Sequence, residues 1–130
     1  TYGGHPIACA AALANLKILE EEDLIENSAK MGEYLMERLQ ILYRHPLVGD
    51  VRGVGLFCGV ELVKDRETKE HFPKEAGLAK KLDAIFMKRG LMTRPGDVIP
   101  LLPPLVITKD EVDHVIEKLD ESLSELAKEL

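Results

Sequence analysis

VGDVRGVGLFCGVELV, residues 48–63, is rich in valine and glycine and lies between two stretches with helical spacing of apolar residues. Valine favours the extended backbone of a strand, and closely spaced glycines favour a turn between strands. The segment therefore predicts two short strands around residues 53–55, joined as a hairpin or as a bulged pair.

Two helices are predicted before these strands. Pro6 follows Gly3 and Gly4 and suits the first position of a helix, which we expect to run to about residue 21. Its first two turns have almost no polar face, and a helix that is apolar all round is normally buried on every side. A chain of 130 residues can hardly provide enough other residues to cover it.

The second predicted helix runs to about residue 43 and stops at His45 and Pro46. Asp23 and Glu26 have the spacing of a capping box at its start. Gly32 interrupts the apolar face, and we expect it to allow a close approach to another helix.

After a charged, turn-like stretch at residues 64–73, a third helix is predicted to end at Gly90. Residues 91–94 should then form a strand, and residues 95–104, with four prolines, an extended edge or loop. Thr108 and Glu111 have capping-box spacing before an apolar stripe at helical spacing, which predicts the last helix. The fold class predicted is α+β, a small and largely antiparallel sheet covered by helices.

The composition argues against a nucleic-acid-binding protein and against a membrane protein. The chain is 45% hydrophobic, with a net charge of -6 and a pI near 5.2, so it offers no broad basic surface for nucleic acid. No leader, membrane-spanning run or lipidation motif is present, and we expect a soluble, cytoplasmic protein. Cys9 and Cys58 suit small buried hydrophobic residues better than a disulfide.

Two places could bind an anion. Thr1, Gly3 and Gly4 precede a helix N-terminus, where free N–H groups and the helix dipole favour a phosphate, although an ordinary glycine turn explains them too. Arg94 stands before Pro95 and could pair with a substrate carboxylate from a rigid turn. On local evidence alone, an arginine in this setting is more often solvated or paired with a carboxylate such as that of Asp97.

The remaining titratable groups indicate no further chemistry. The four histidines share no metal-ligand spacing, and we expect no metal site. The acidic run at residues 20–23 and the charges of the last helix suit solvated helix faces.

Three stretches together resemble the C-terminal part of class III aminotransferases of the ω-amino-acid:pyruvate type. They are TYGGHPIACAAALANLKILEEEDLIENS at residues 1–28, the strand segment at 48–63, and GLMTRPGDVIPLLPPLVITKDEVDHVIEKL at 90–119. The resemblance spans nearly the whole chain, in order. It implies the small domain of a fold-type-I enzyme that uses pyridoxal 5'-phosphate, with residues 1–22 as a linking helix packed on a large domain and residues 23–130 as the small domain.

The resemblance also implies roles for two residues. The threonine matching Thr1 reaches across a dimer interface to the cofactor phosphate held by the other subunit. The arginine matching Arg94 binds the substrate carboxylate and swings away when an uncharged group occupies the same pocket. The position of Arg94 before Pro-Gly-Asp favours the ω type over the ornithine type.

No catalytic residue is carried over, because the family's Schiff-base lysine, its aspartate facing the pyridine nitrogen and its stacking aromatic residue would all precede Thr1. The chain starts inside a motif, which indicates a piece of a longer protein. That protein is expected to be a homodimer or higher homo-oligomer that transfers an amino group from an amine or ω-amino acid to a keto acid such as pyruvate. The chain alone should be inert. The alternative is a stand-alone, non-catalytic ligand-binding or dimerisation domain.

Overall fold

The computed structural model describes all of residues 1–130. The chain forms four α-helices and one three-stranded sheet: α1 Pro6–Glu21, α2 Leu24–Leu39, β1 Val48–Val54, β2 Phe57–Leu62, α3 Leu78–Lys88, β3 Val98–Leu101 and α4 Lys109–Glu129. Short 3-10 helices at Gln40–Arg44 and Lys74–Ala76 follow α2 and precede α3. The strand order is β1-β2-β3, and both pairs are antiparallel, which confirms the predicted fold class.

The segment at residues 48–63 forms both of the features predicted for it. Val54 pairs with Phe57 across a two-residue turn in which Gly55 has a φ of 53°, and a bulge near Gly49 shifts the register at the other end. Glycine adopts such a φ without steric cost, whereas a residue with a Cβ adopts it only at a cost. The hairpin therefore depends on Gly55.

One face of the sheet packs against the hydrophobic core. Val51 pairs with Val60, which in turn pairs with Ile99, and all three side chains are buried. Apolar side chains of α2, α3 and α4 cover this row, among them Leu35, Leu39, Leu82, Phe86, Val112, Ile116, Leu119 and Leu123. Alternate strand residues point the other way, as a half-covered antiparallel sheet requires.

α1 has no buried residue, and α2 is the only helix or strand with which it makes substantial contact. Ile7 is 75% exposed and Leu13 68% exposed. Cys9 is also exposed, so the expectation that both cysteines are buried holds only for Cys58. The apolar helix lacks cover within this chain, as its composition predicted. Neither α1 nor any other helix is long and apolar enough to cross a membrane.

Three predictions of local structure were wrong. Asp23 does not cap α2 with its side chain; its φ of 49° turns the chain sharply between α1 and α2. Gly32 allows close approach not of a helix but of the hairpin turn, since a Cβ there would lie 2.4 Å from backbone atoms of Gly55.

The third wrong prediction concerns residues 91–94, which form no strand. β3 is the edge of the sheet, and Pro100 lies in its middle without an N–H group to donate. Residues 91–94 therefore have no strand partner. The proline-rich edge itself was predicted correctly, as was the capping box of α4, where Glu111 N–H donates to Thr108 Oγ1 and Thr108 N–H to Glu111 Oε2.

Candidate functional site

Arg94 stands on a loop that is fixed at both ends. α3 ends in a Schellman motif, in which Gly90 has a φ of 74° and the N–H of Leu91 donates to Phe86 O. One residue before Arg94, the Thr93 hydroxyl donates to Pro100 O at 2.7 Å. The loop is thereby attached to α3 on one side and to β3 on the other.

The turn after Arg94 is held as well. The N–H of Gly96 donates to Val98 O at 3.1 Å, and Asp97 O accepts from the N–H of Leu62 at 2.7 Å. Pro95 restricts the backbone between these bonds. The guanidinium of Arg94 consequently projects from a backbone whose position is well determined.

Arg94 is the one arginine among six without a partner. Arg38, Arg44, Arg52 and Arg89 form ion pairs with carboxylates, and Arg66 donates to three backbone carbonyls. Arg94 makes no ion pair or hydrogen bond, and the carboxylate of Asp97 is not its partner. The side chain is exposed and free to bind an external anion.

The other paired arginines are matched by carboxylates next to them, and in two cases the pairing lowers the pKa of the carboxyl group. A hydrogen bond from Arg52 is the main cause that lowers the pKa of Asp50. A hydrogen bond from Arg89 likewise lowers the pKa of Glu125. Arg52 and Arg89 are therefore already bound to carboxylates of this chain, unlike Arg94.

A cavity of about 440 Å³ opens beside Arg94. Its walls are mostly apolar and come from α2, the loop after α3, β3, the proline-rich segment and α4: Leu35, Leu91, Met92, Thr93, Pro100, Leu101, Leu102, Pro103, Pro104, Ile107, Val112, Val115 and Leu119. Arg94 is the single charged residue of the lining. Sequence reasoning missed this cavity, although the four prolines indicated that the segment bordering it could not pair as a strand.

Thr1 lies at the other predicted site. It is exposed, and the turn after it closes with a bond from the N–H of His5 to Tyr2 O at 3.2 Å, with Gly4 at a φ of 76°. A Cβ at Gly3 or Gly4 would meet nothing within 4 Å, so the backbone is open to an approaching group. Thr1 does not line the cavity beside Arg94, and the chain therefore keeps its two predicted binding residues apart.

The lysines and the buried thiol lack a suitable setting for covalent chemistry. Lys17, Lys30 and Lys88 lie on helix surfaces beside glutamates, and no lysine lines the cavity. Burial raises the pKa of the Cys58 thiol, which disfavours the reactive thiolate.

The histidines are dispersed, and no group of three potential metal ligands exists. The buried His45 pairs through Nε2 with Asp120 Oδ1 at 2.8 Å and thereby joins the 3-10 helix after α2 to α4. This contact stabilises the packing of the 3-10 helix against α4.

Solved structures of transaminases share the fold of this chain. The solved structure of an (S)-enantioselective ω-transaminase from Thermomicrobium roseum matches 96% of this chain at 47% identity and a TM-score of 0.93. The family model for aminotransferase class-III matches residues 1–123. The chain belongs to the class III aminotransferase family, of fold type I.

Two curated relatives that align with most of this chain are also aminotransferases. The chain is 41% identical to an uncharacterized aminotransferase of Schizosaccharomyces pombe and 39% identical to the taurine–pyruvate aminotransferase of Bilophila wadsworthia, with 95% of the chain aligned in each case. It spans only 29% of the length of either relative and 28% of the Thermomicrobium roseum chain.

Proposed function

We propose that this chain is the C-terminal part of an aminotransferase that moves an amino group from an amine or ω-amino acid to a keto acid such as pyruvate. The observation that supports this function best is Arg94, an unpaired guanidinium on a fixed turn. A keto acid presents a carboxylate, which an arginine can bind through two parallel hydrogen bonds. The likeness to an ω-transaminase and to a taurine–pyruvate aminotransferase supports the choice of substrates.

Class III aminotransferases use pyridoxal phosphate, which supplies an electron sink for the transfer. The residues around Thr1 fit the phosphate of this cofactor, because the threonine hydroxyl and the open turn before α1 offer donors at the positive end of a helix dipole. The chain offers no lysine in the cavity for the cofactor's carbonyl carbon. In this proposal Thr1 binds the phosphate, Arg94 binds the substrate, and the chain alone is inert.

The exposed α1 supports the proposed division of the chain. Residues 1–22 form a linking helix whose apolar faces pack on a large domain, and residues 23–130 form the small domain. The whole protein assembles as a homodimer, in which Thr1 reaches the phosphate held by the partner subunit. The exposure of Ile7 and Leu13 favours such cover, because apolar side chains gain stability when they leave water.

Replacement of Thr1 tests the cofactor assignment. In the whole protein, Thr1→Val keeps the shape of the side chain but removes the hydroxyl, and we expect pyridoxal phosphate to bind about tenfold more weakly, since one hydrogen bond to a charged group is lost. Cofactor dissociation after dilution measures this change. Thr1→Ser, which keeps the hydroxyl, should bind within about twofold of the parent. Equal cofactor affinity in Thr1→Val and the parent would refute the assignment.

A further inference from the structure

The methionine two residues before Arg94 is the most exposed of the four methionines in the chain. Met92 is 90% exposed and Met87 61%, whereas Met31 and Met36 are half-buried and pack against the hydrophobic core. Of the four, Met92 is the one that lines the cavity beside Arg94. Its thioether is therefore open to solutes in the surrounding water and lies next to a free cation.

Met92 and Arg94 lie on either side of a residue whose side chain is already engaged. The hydroxyl of Thr93 donates to Pro100 O at 2.7 Å, which directs it towards β3. Met92 and Arg94 are both exposed and both line the same cavity. The Cα atoms of residues two apart are separated by at most about 7 Å, a distance that the long side chains of methionine and arginine can span.

A peroxide can oxidise the thioether of Met92. The sulfur attacks one oxygen of hydrogen peroxide, the O–O bond breaks and an S–O bond forms. The proton on the transferred oxygen passes to the departing oxygen, which leaves as water, so the sulfur loses the two electrons that the peroxide gains. The product, methionine sulfoxide, is polar, whereas the thioether was apolar. Its oxygen is a hydrogen-bond acceptor.

We propose that Met92 is a redox-modification site, and that the oxygen of its sulfoxide accepts a hydrogen bond from the guanidinium of Arg94. Arg94 has no ion pair or hydrogen bond within the chain, so its donors are available to the new acceptor. A hydrogen bond from an ionised donor is stronger than one between neutral groups. Oxidation thus converts an apolar part of the cavity wall into an internal partner for the arginine.

The modification has a consequence for the proposed aminotransferase, and this part of the inference rests on that function. A guanidinium that is bound to the sulfoxide oxygen must release it before it can bind a substrate carboxylate. Oxidation should therefore raise KM for pyruvate by about tenfold and leave kcat within about twofold. Methionine sulfoxide reductases, which reduce the two sulfoxide epimers, should restore the original KM.

The first measurement uses the 130-residue chain, treated with hydrogen peroxide and then with a thiol reductant that restores the exposed Cys9. Peptide mapping by mass spectrometry should show Met92 oxidised first and Met87 about one and a half times more slowly, in line with their exposure. The Nε–H resonance of Arg94 should move on oxidation of the parent chain and stay in place in oxidised Met92→Leu. An Arg94 resonance that does not respond, or a Met92 no faster than the half-buried methionines, would overturn the proposal.

Two variants at Met92 carry the test to the whole protein. Met92→Gln places a carbonyl group where the sulfur stands, so it offers an acceptor oxygen without any oxidant, and it should raise KM for pyruvate as oxidation does. Met92→Leu keeps an apolar side chain and should make KM insensitive to peroxide. Met87→Leu is the matched control, since Met87 is exposed on α3 outside the cavity, and its KM should still respond.

An amine donor without a carboxylate separates this mechanism from general oxidative damage. Its turnover should stay within about twofold in the oxidised protein and in Met92→Gln, because it does not use the guanidinium. An equal loss with both substrates, or an oxidised Met92→Leu protein that loses as much affinity for pyruvate as the parent, would contradict the proposal.

The two proposals fail in different ways. If Arg94→Leu impairs turnover of pyruvate but oxidation leaves KM unchanged, the inference about Met92 is wrong and the proposed function stands. If the Arg94 resonance shows the bond to the sulfoxide, yet neither oxidation nor Arg94→Leu alters KM, the modification site stands. In that case the role of Arg94 in the proposed function is wrong.

Discussion

Arg94→Leu in the whole protein should lower kcat/KM for pyruvate by about 100-fold, since the loss of a bidentate pair with a carboxylate costs about 2.7 kcal/mol at the transition state. Turnover of an amine donor without a carboxylate should change by less than about threefold, because that substrate does not use the guanidinium. The measurement is the pair of half-reactions, followed separately under single-turnover conditions. The informative quantity is the ratio between the loss of rate with pyruvate and the loss of rate with the amine donor.

Arg89→Leu is the matched control for this experiment. Arg89 projects from the C-terminal end of α3 and pairs with Glu121 and Glu125 on α4, outside the cavity. Its loss removes surface ion pairs and should leave both half-reactions within about twofold of the parent. Arg94→Lys should recover only part of the keto-acid rate, because a single ammonium cannot reproduce two parallel bonds. An equal loss with both substrates in Arg94→Leu would contradict the assigned role.

Gly32→Ala should lower the free energy of unfolding by about 2 kcal/mol or more. A Cβ at this position would lie 2.4 Å from the C and Cα atoms of Gly55, and backbone on both sides leaves no flexible side chain to yield. Alanine by itself favours a helix by about 1 kcal/mol over glycine, so helix propensity and packing predict opposite signs. Urea unfolding of the 130-residue chain distinguishes them.

Gly96→Ala provides the comparison. Its new Cβ would meet nothing closer than Val98 O at 4.0 Å, and its backbone lies outside the left-handed region. Stability should therefore stay level or rise by up to about 1 kcal/mol. A Gly32→Ala chain as stable as the parent would show that the contact between α2 and the hairpin turn is looser than the structure indicates.

Local sequence signals predicted those elements whose residues determine their own conformation. Pro6 marked the start of α1, the Thr108 and Glu111 pair marked the start of α4, and the glycines at 53 and 55 marked the hairpin. In each case the signal is a backbone preference or a side-chain bond within a few residues. Such signals need no knowledge of the rest of the fold.

Predictions that required a distant partner were less successful. Residues 91–94 had strand-forming character, but strand formation requires a neighbour, and the proline in β3 leaves none at that edge. Gly32 was correctly recognised as a point of close approach, yet the sequence could not identify the hairpin turn as its neighbour. The roles assigned to Thr1 and Arg94 come from family resemblance, whereas the free state of Arg94 and the cavity beside it depend on tertiary packing that local sequence does not specify.

We propose that this chain supplies binding groups to an aminotransferase but not the lysine that performs its chemistry. The most direct test is to incubate the 130-residue chain with pyridoxal phosphate, an amine donor and pyruvate, reduce part of the mixture with borohydride, and map modified lysines by mass spectrometry. We expect no transamination and no lysine modified in stoichiometric yield. Turnover together with full modification of a single lysine would contradict this proposal, because one of the lysines in this chain would then be catalytic.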